Sequence, residues 1–372
     1  MPGMTSAAIA GTTGPAASSP PPETRRATVW NTAVFVSIFL LTLFIMAMAQ
    51  YSLARLVDPY GEYGTGKFPV IVMDSRNSKM HLFEEHAIHP PARALIFGSS
   101  RSLLLRPSQV ASMTGENTFN FAVDNAHTED FLAIYHWARH QGVHPRTLIV
   151  GVDVVGLHSD NLPDHMFQRI NALRDSLSTD RTGSPFGKAV SSTVEALKRP
   201  FTVDYLKDSV KSILIAMRHT EPSRGFDADG FLNGGHTGVP FPDAVIDAQH
   251  SFKDDLVTYK ERFEGMDGLS PKRCGYLNSL IEETQADGGR VIVWLTPVHP
   301  KLMEALRDTR YPQLVELTQA YLEDLHRRYG VAAYDLSDLR SFNGSESNWD
   351  DGTHMGSVNS GLVLQRILGG TR

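Results

Sequence analysis

The sequence predicts an α/β domain built on a parallel sheet covered on both faces, preceded by one transmembrane helix. Two observations carry the domain. Short, almost continuously apolar runs at 92–97, 118–123, 147–152 and 290–295 alternate with helical stretches. Strands lacking polar alternation belong to sheets buried on both sides. A third observation carries the helix: residues 29–49 are apolar and uncharged, about the length needed to cross a bilayer.

Residues 1–28, rich in Pro, Ala, Ser, Thr and Gly, read as a disordered tail. Arg25 and Arg26 flank the apolar stretch, and the positive-inside tendency places the tail in the cytoplasm and the bulk of the chain outside it. A cleaved secretory signal is the other reading, with Ala47-Met48-Ala49 as a small-residue cleavage site. Both readings export residues 50–372. The expected location is therefore the extracytoplasmic, periplasmic side of a bacterial inner membrane, with a single-pass anchor.

Residues 50–90 mix Pro, Gly and charge and are expected to connect anchor and domain. The first strand, 92–97, ends at Gly98; the second spans 118–123, a helix fits 131–140, and the third strand spans 147–152. From 156 to 270 the rhythm is lost. Helical patterns at 188–197 and 203–219 and a Gly/Asp/Pro-rich stretch at 226–242, which reads as an extended loop, suggest an insertion or cap roofing a cleft. The rhythm returns with a helix at 276–286, the strand at 290–295 closed by Pro297, a helix at 311–329 halted by Gly330, and a last strand at 331–335. The domain is thus expected to comprise 91–155 and 271–372.

The composition excludes several functions. A net charge of −6 without a basic tract gives nucleic acid no surface. One cysteine, Cys274, allows neither a disulfide framework nor a cysteine-rich zinc site, and its place in a helix fits core packing. There is no His-Glu-x-x-His signature, and Asp227, Asp229 and Gly230 lack the remaining ligands of a calcium loop. No metal or cofactor is expected.

Two segments carry chemistry. Gly98-Ser99-Ser100-Arg101 follows the first strand, and a strand-to-helix turn presents a hydroxyl at the sheet edge with backbone N–H groups around it. Helix capping by Ser99 or Ser100 is the simpler alternative. Asp351-Gly352-Thr353-His354 stands before the last helix, with a spacing that lets the carboxylate orient the imidazole and the imidazole take a serine proton. The alternatives are a surface histidine and an Asx turn at Asp351.

These two blocks resemble the SGNH hydrolase superfamily, in particular its membrane-anchored extracytoplasmic branch, the teichoic-acid D-alanylation transfer protein and the alginate O-acetylation proteins. The resemblance covers 92–155 and 290–370. It implies a three-layer, flavodoxin-like fold, with Ser100 as nucleophile, His354 as base, Asp351 as orienting acid and Ser99 in the place of the superfamily's aspartate. It further implies acyl transfer to a cell-surface polysaccharide or other envelope polymer, acetyl above all, with a membrane acyl-exporting protein as partner. An esterase, or an envelope assembly or glycan-binding protein with weakened chemistry, fits the same fold.

The superfamily's two middle blocks, which supply a Gly N–H and an Asn side chain to the oxyanion hole, lack plain counterparts. Asn120, Asn125 and His127 follow the second strand, with Asn125 the favoured donor and a structural Asp124-Asn125 turn its alternative. Asp153, at the end of the third strand, either braces the site loop or binds substrate. Arg101 reads as a solvated arginine, an electrostatic aid or an anionic-glycan contact. His299, between Pro297 and Pro300, lies on the same expected edge, as a cleft residue or part of a structural loop.

Overall fold

The computed structural model describes residues 22–60, 65, 67–69, 75–158, 167, 170–177, 199–218, 225–233, 253, 256–260, 263, 266 and 268–369. The predicted helix at 188–197 and residues 1–21 of the predicted tail lie outside them. The chain divides into two compact units, Met1–Leu53 and Ala54–Arg372.

Helix α1 spans Pro22–Val57, so 22–28 are helical rather than tail. Proline suits the first helical position, where its missing N–H has no intrahelical role. The portion Thr32–Val57 is long and apolar enough to cross a membrane, and it runs beyond the expected end at residue 49.

The second unit is built on five parallel strands, β1 (Ala94–Phe97), β2 (Thr118–Asn120), β3 (Thr147–Val152), β6 (Arg290–Leu295) and β7 (Ala332–Asp335), in the order β2-β1-β3-β6-β7. In-register rows such as Leu95–Leu148 and Leu148–Val291 run across its centre. Alternate residues of each strand enter different cores, as a period of two requires. Leu95, Phe97, Leu148, Val150, Val291 and Val293 pack on one face against α4 (Thr128–His140), α8 (Pro271–Ala286) and α10 (Tyr311–Tyr329). Ile96, Ile149, Ile292 and Trp294 pack on the other against α3 (Pro107–Thr114) and α11 (Ser357–Gly369). The sheet is therefore a middle layer buried on both sides, which is why its strands read as unbroken apolar runs.

Three details differ from expectation. The supposed connector holds α2 (Ser75–His86), whose Phe83 is fully buried against Phe119, Phe121 and Trp137. Arg76 of α2 grips Asp130 at 2.7 and 3.1 Å, so the folded domain includes a helix that its charge and poor periodicity conceal. Strand β2 is assigned only to Thr118–Asn120, where the Asn120 side chain accepts from Ala122 N at 2.9 Å, although Phe121 N and Val123 N still donate to Ile96 O and Gly98 O at 2.8 and 3.0 Å. The stretch expected to be a loop from 226 begins as a small hairpin, β4 (Gly225–Phe226) and β5 (Leu232–Asn233).

That hairpin docks on the main sheet's edge. Asn120 N donates to Asp229 O at 2.9 Å, Leu232 N donates to Leu103 O at 3.2 Å, and Phe231 and Leu232 pack on Leu103, Leu104 and Ala122. The inserted region thereby braces the chain just after the Gly98-Ser99-Ser100 turn. The remaining described α-helices are α5 (Val154–His158), α6 (Asn171–Leu177), α7 (Val203–Met217) and α9 (Pro300–Ala305).

Glycine at two strand ends permits the turn to settle onto the sheet. A Cβ at Gly98 would meet Ser102 Oγ at 2.1 Å, and one at Gly151 would meet Ser102 Oγ at 2.4 Å and the Trp294 ring at 2.9 Å. Gly151→Ala is expected to cost about 1–3 kcal/mol through overpacking, read as a lowered midpoint in urea denaturation. An unchanged midpoint contradicts this reason for glycine.

Candidate active site

The site begins with a short 3₁₀ turn, Ser100–Ser102, entered directly from β1 through Gly98 and Ser99. The two serines separate in role. Ser99 is buried and its Oγ accepts from Arg101 N at 3.3 Å, capping the turn. Ser100 is half-buried, and its Oγ lies 2.8 Å from His354 Nε2, across 254 residues of sequence.

His354 comes from the loop before α11, pinned by a bridge between Trp349 and Met355 and by Asp350 N donating to His354 O at 2.9 Å. Asp351 works with both oxygens. Oδ1 accepts from the backbone N–H groups of Thr353 and His354, each at 2.7 Å, while Oδ2 faces His354 Nδ1 at 2.5 Å. The Asx turn and the orienting carboxylate, offered by the sequence as alternatives, are one structure. Burial opposes ionisation of Asp351, but the facing His354 ring and the two backbone donors outweigh it and hold its carboxyl well below the usual carboxylate range. A carboxylate on Nδ1 favours the tautomer with its proton there, leaving Nε2 to accept from Ser100.

A cavity of about 210 Å³ opens beside this relay, lined by Ser99, Ser100, Arg101, Asn125, His127, Asp153, Tyr259 and His354 among others. Ser100 follows β1, Asn125 follows β2, Asp153 follows β3 and Thr296 follows β6. All therefore emerge at the carboxyl edge of the parallel sheet, where the strand order reverses on either side of β1 and where such sheets bind ligands.

Arg101 is buried, not solvated. Nη1 donates to Thr296 Oγ1 at 3.1 Å, Nη2 donates to Tyr259 OH at 2.6 Å, and Nε lies 3.7 Å from Asp153 Oδ1. Thr296 Oγ1 in turn donates to Asp153 at 2.5 Å. Burial disfavours the charge, but the oxygens of Tyr259, Asp153 and Tyr311 outweigh it and raise the guanidinium above its usual value. Arg101 thus ties the serine turn to the ends of β3 and β6 and to the inserted segment. Asp153 takes part in that brace while also lining the cavity.

Asn125 sits in a left-handed conformation, φ +49°, in a turn anchored where Val123 N donates to Gly98 O at 3.0 Å. This brings it to the cavity wall beside the serine turn. His299 is placed differently. Its Nδ1 accepts from Lys301 N at 3.1 Å to cap α9, its Nε2 lies 3.2 Å from Glu346 O, and its ring meets Trp349 edge-on. Its own N–H donates to Gly352 O at 2.9 Å, so it supports the His354 loop and does not line the cavity.

Two supporting residues, Lys79 and Tyr259, escape the sequence pattern, and each acts on a residue the sequence does name, Asn120 and Arg101. Asn120 Nδ2 donates to Ser102 O at 2.9 Å and Leu105 O at 2.8 Å, while Lys79 Nζ, fully buried, donates to Asn120 O at 2.9 Å. Tyr259 lies in the inserted region, where no periodicity flags it. Among the described residues, no His, Cys, Asp and Glu are grouped to hold a metal ion. Comparison of the chain with protein-family models and with characterised proteins returns no match.

His127, at the start of α4, gives the site an acid sensitivity. Burial first, then the Arg273 charge, lowers it to about 4, with Glu129 opposing. Between the unfolded value of about 6.5 and this folded value, the unfolded chain takes up the extra proton, so stability falls as pH drops through that window. His127 should contribute at most about 1.4 kcal/mol per pH unit to the fall there, and His127→Gln should flatten the slope. Denaturant midpoints measured from pH 7 to pH 4 check this; equal slopes for both proteins would contradict it.

Proposed function

We propose that the protein is a membrane-anchored serine acyltransferase of the SGNH hydrolase type, acting outside the cytoplasm on a hydroxyl of a cell-surface polysaccharide or related envelope polymer. The observation that carries the reading is the relay from Ser100 Oγ to His354 Nε2 at 2.8 Å and from His354 Nδ1 to Asp351 at 2.5 Å. Acyl transfer is the chemistry such a relay serves. The order β2-β1-β3-β6-β7, numerically 2-1-3-4-5 within the main sheet, supports the flavodoxin-like part of the reading.

In the first half-reaction the Ser100 proton passes to His354 Nε2 as Oγ attacks the acyl carbonyl carbon. The carbonyl electrons move onto oxygen, stabilised by the Ser100 backbone N–H and the Asn125 side chain as donors. Collapse expels the donor's leaving group, which takes the proton from His354 and leaves an acyl-Ser100 ester. An acceptor hydroxyl then gives its proton to His354 and attacks that ester, and Ser100 departs with the proton restored. A small cavity of about 210 Å³ favours a short acyl group such as acetyl. An apolar helix long enough to span a membrane favours a polymer acceptor at the cell surface over a diffusing ester, with the donor delivered by a membrane acyl-exporting partner.

Base-released acetate from purified envelope polymer tests the reading in the source cell. Ser100→Ala and His354→Ala should each reduce polymer ester to background, and Asp351→Asn should lower the transfer rate about 10⁴-fold through the wrong imidazole tautomer. A rise in polymer ester would instead identify an esterase. Unchanged ester in both Ser100→Ala and His354→Ala cells overturns both activities.

A further inference from the structure

Helix α7 is built inside out. Its buried side chains are Tyr205, Ser209 and Ser212, whereas Val203, Leu206, Val210, Leu214 and Met217 are exposed by 40–71%. These five recur at spacings of three and four, which places them on one face of the helix. A soluble domain turns such a face inward. Of the nine exposed large apolar side chains outside α1 among the described residues, six lie between Phe201 and Met217. The patch is therefore local to this helix, not a general property of the surface.

The inward face packs through polar side chains. Tyr205 stacks edge-on against Tyr60 with ring centroids 4.8 Å apart, Asp208 accepts from Tyr60 OH at 2.6 Å, and Ser212 Oγ donates to Pro69 O at 2.6 Å. Tyr205 also packs with Ala54, in the last turn of α1. Tyr60 stands three residues beyond Val57, where α1 ends, and three residues of chain reach no more than about 11 Å. The contacts of α7 thus fall on the stretch where the apolar helix gives way to the domain.

Charge follows the same plan. Lys207, Lys211 and Arg218 are exposed and, at helical spacing, fall along one border of the apolar face. An apolar stripe edged by long cationic side chains suits the boundary between acyl chains and anionic headgroups, with the cations reaching outward to phosphate.

We propose that α7 is an interfacial membrane helix, its Val203–Met217 apolar face set into the leaflet from which α1 emerges. This rests on the reading that α1 spans the bilayer and adds a second, non-spanning attachment. The occupant is lipid: the buried side of α7 packs on the chain leaving the apolar helix, and one border of its exposed face carries the charge that lipid phosphate complements.

Nitroxide labels on the full-length protein, reconstituted in vesicles of phosphatidylethanolamine and phosphatidylglycerol, test this. Single cysteines at Val210→Cys and Leu214→Cys, each in a Cys274→Ser background, report the apolar face; Phe39→Cys reports the span, and Lys211→Cys and Arg327→Cys report water. The ratio of accessibility to oxygen over a water-soluble nickel chelate should be several-fold higher at 210 and 214 than at 211 and 327, approaching that at 39. A lipid-like ratio at 39 with water-like ratios at 210 and 214 overturns the interfacial helix while leaving the anchor intact. A water-like ratio at 39 removes the anchor and this inference with it. Protection of 210 and 214 from both reagents means a protein covers the face, and also overturns it.

Discussion

The hydrogen bond between Ser100 and His354 sets the tightest demand on this fold: two loops separated by 254 residues must hold their side chains at 2.8 Å. A chain does not achieve this by placing one residue well. A serine hydroxyl and an imidazole lose their value as a pair when displaced by about 1 Å, so each loop needs its own supports. On the serine side these are the Ser99 cap, the Asn120 clamp on the carbonyls of Ser102 and Leu105, and the Arg101 brace to Thr296 and Tyr259. On the histidine side they are the Asp351 turn, the Trp349–Met355 bridge and the His299 backbone.

These supports account for polar groups buried deep in an otherwise apolar domain. Lys79 and Arg101 are long cationic side chains in the interior, and each has protein oxygens around its donors. Isolated burial of such charges is costly, whereas burial with hydrogen-bonding partners is tolerated and rigidifies what it touches. The rigid parts are the chain on either side of Ser100 and the carboxyl ends of β1, β2, β3 and β6. The inserted region contributes as well, through Tyr259 and through the hairpin on Asn120 and Leu103.

Much of this was legible in the sequence where the signal was periodic. The runs 92–97, 147–152 and 290–295 announced strands because both faces of the sheet are buried, and the helix Tyr311–Tyr329 carried its stop at Gly330. Ser100, His354 and Asp351 could be paired because their types and local spacing suggested one chemistry. Residues acting through tertiary hydrogen bonds could not be read this way. Helix α2 carries Arg76 and Lys79 on its buried side, so it resembles a charged connector. Arg101 resembled a surface arginine for the same reason, since its partners Thr296, Tyr259 and Asp153 are remote in sequence. The outward apolar face of α7 defeats periodicity in another way: the pattern yields a helix but misleads about which side faces the core.

Covalent capture shows whether Ser100 is an activated nucleophile. The full-length protein in detergent would be treated with an activated acetyl ester and the adduct located by peptide mass mapping. An activated Ser100 gives one acetyl group on its peptide, none on Ser99 or Ser102, and loss of the adduct in His354→Ala. Labelling that spares Ser100, or that persists unchanged without His354, contradicts it.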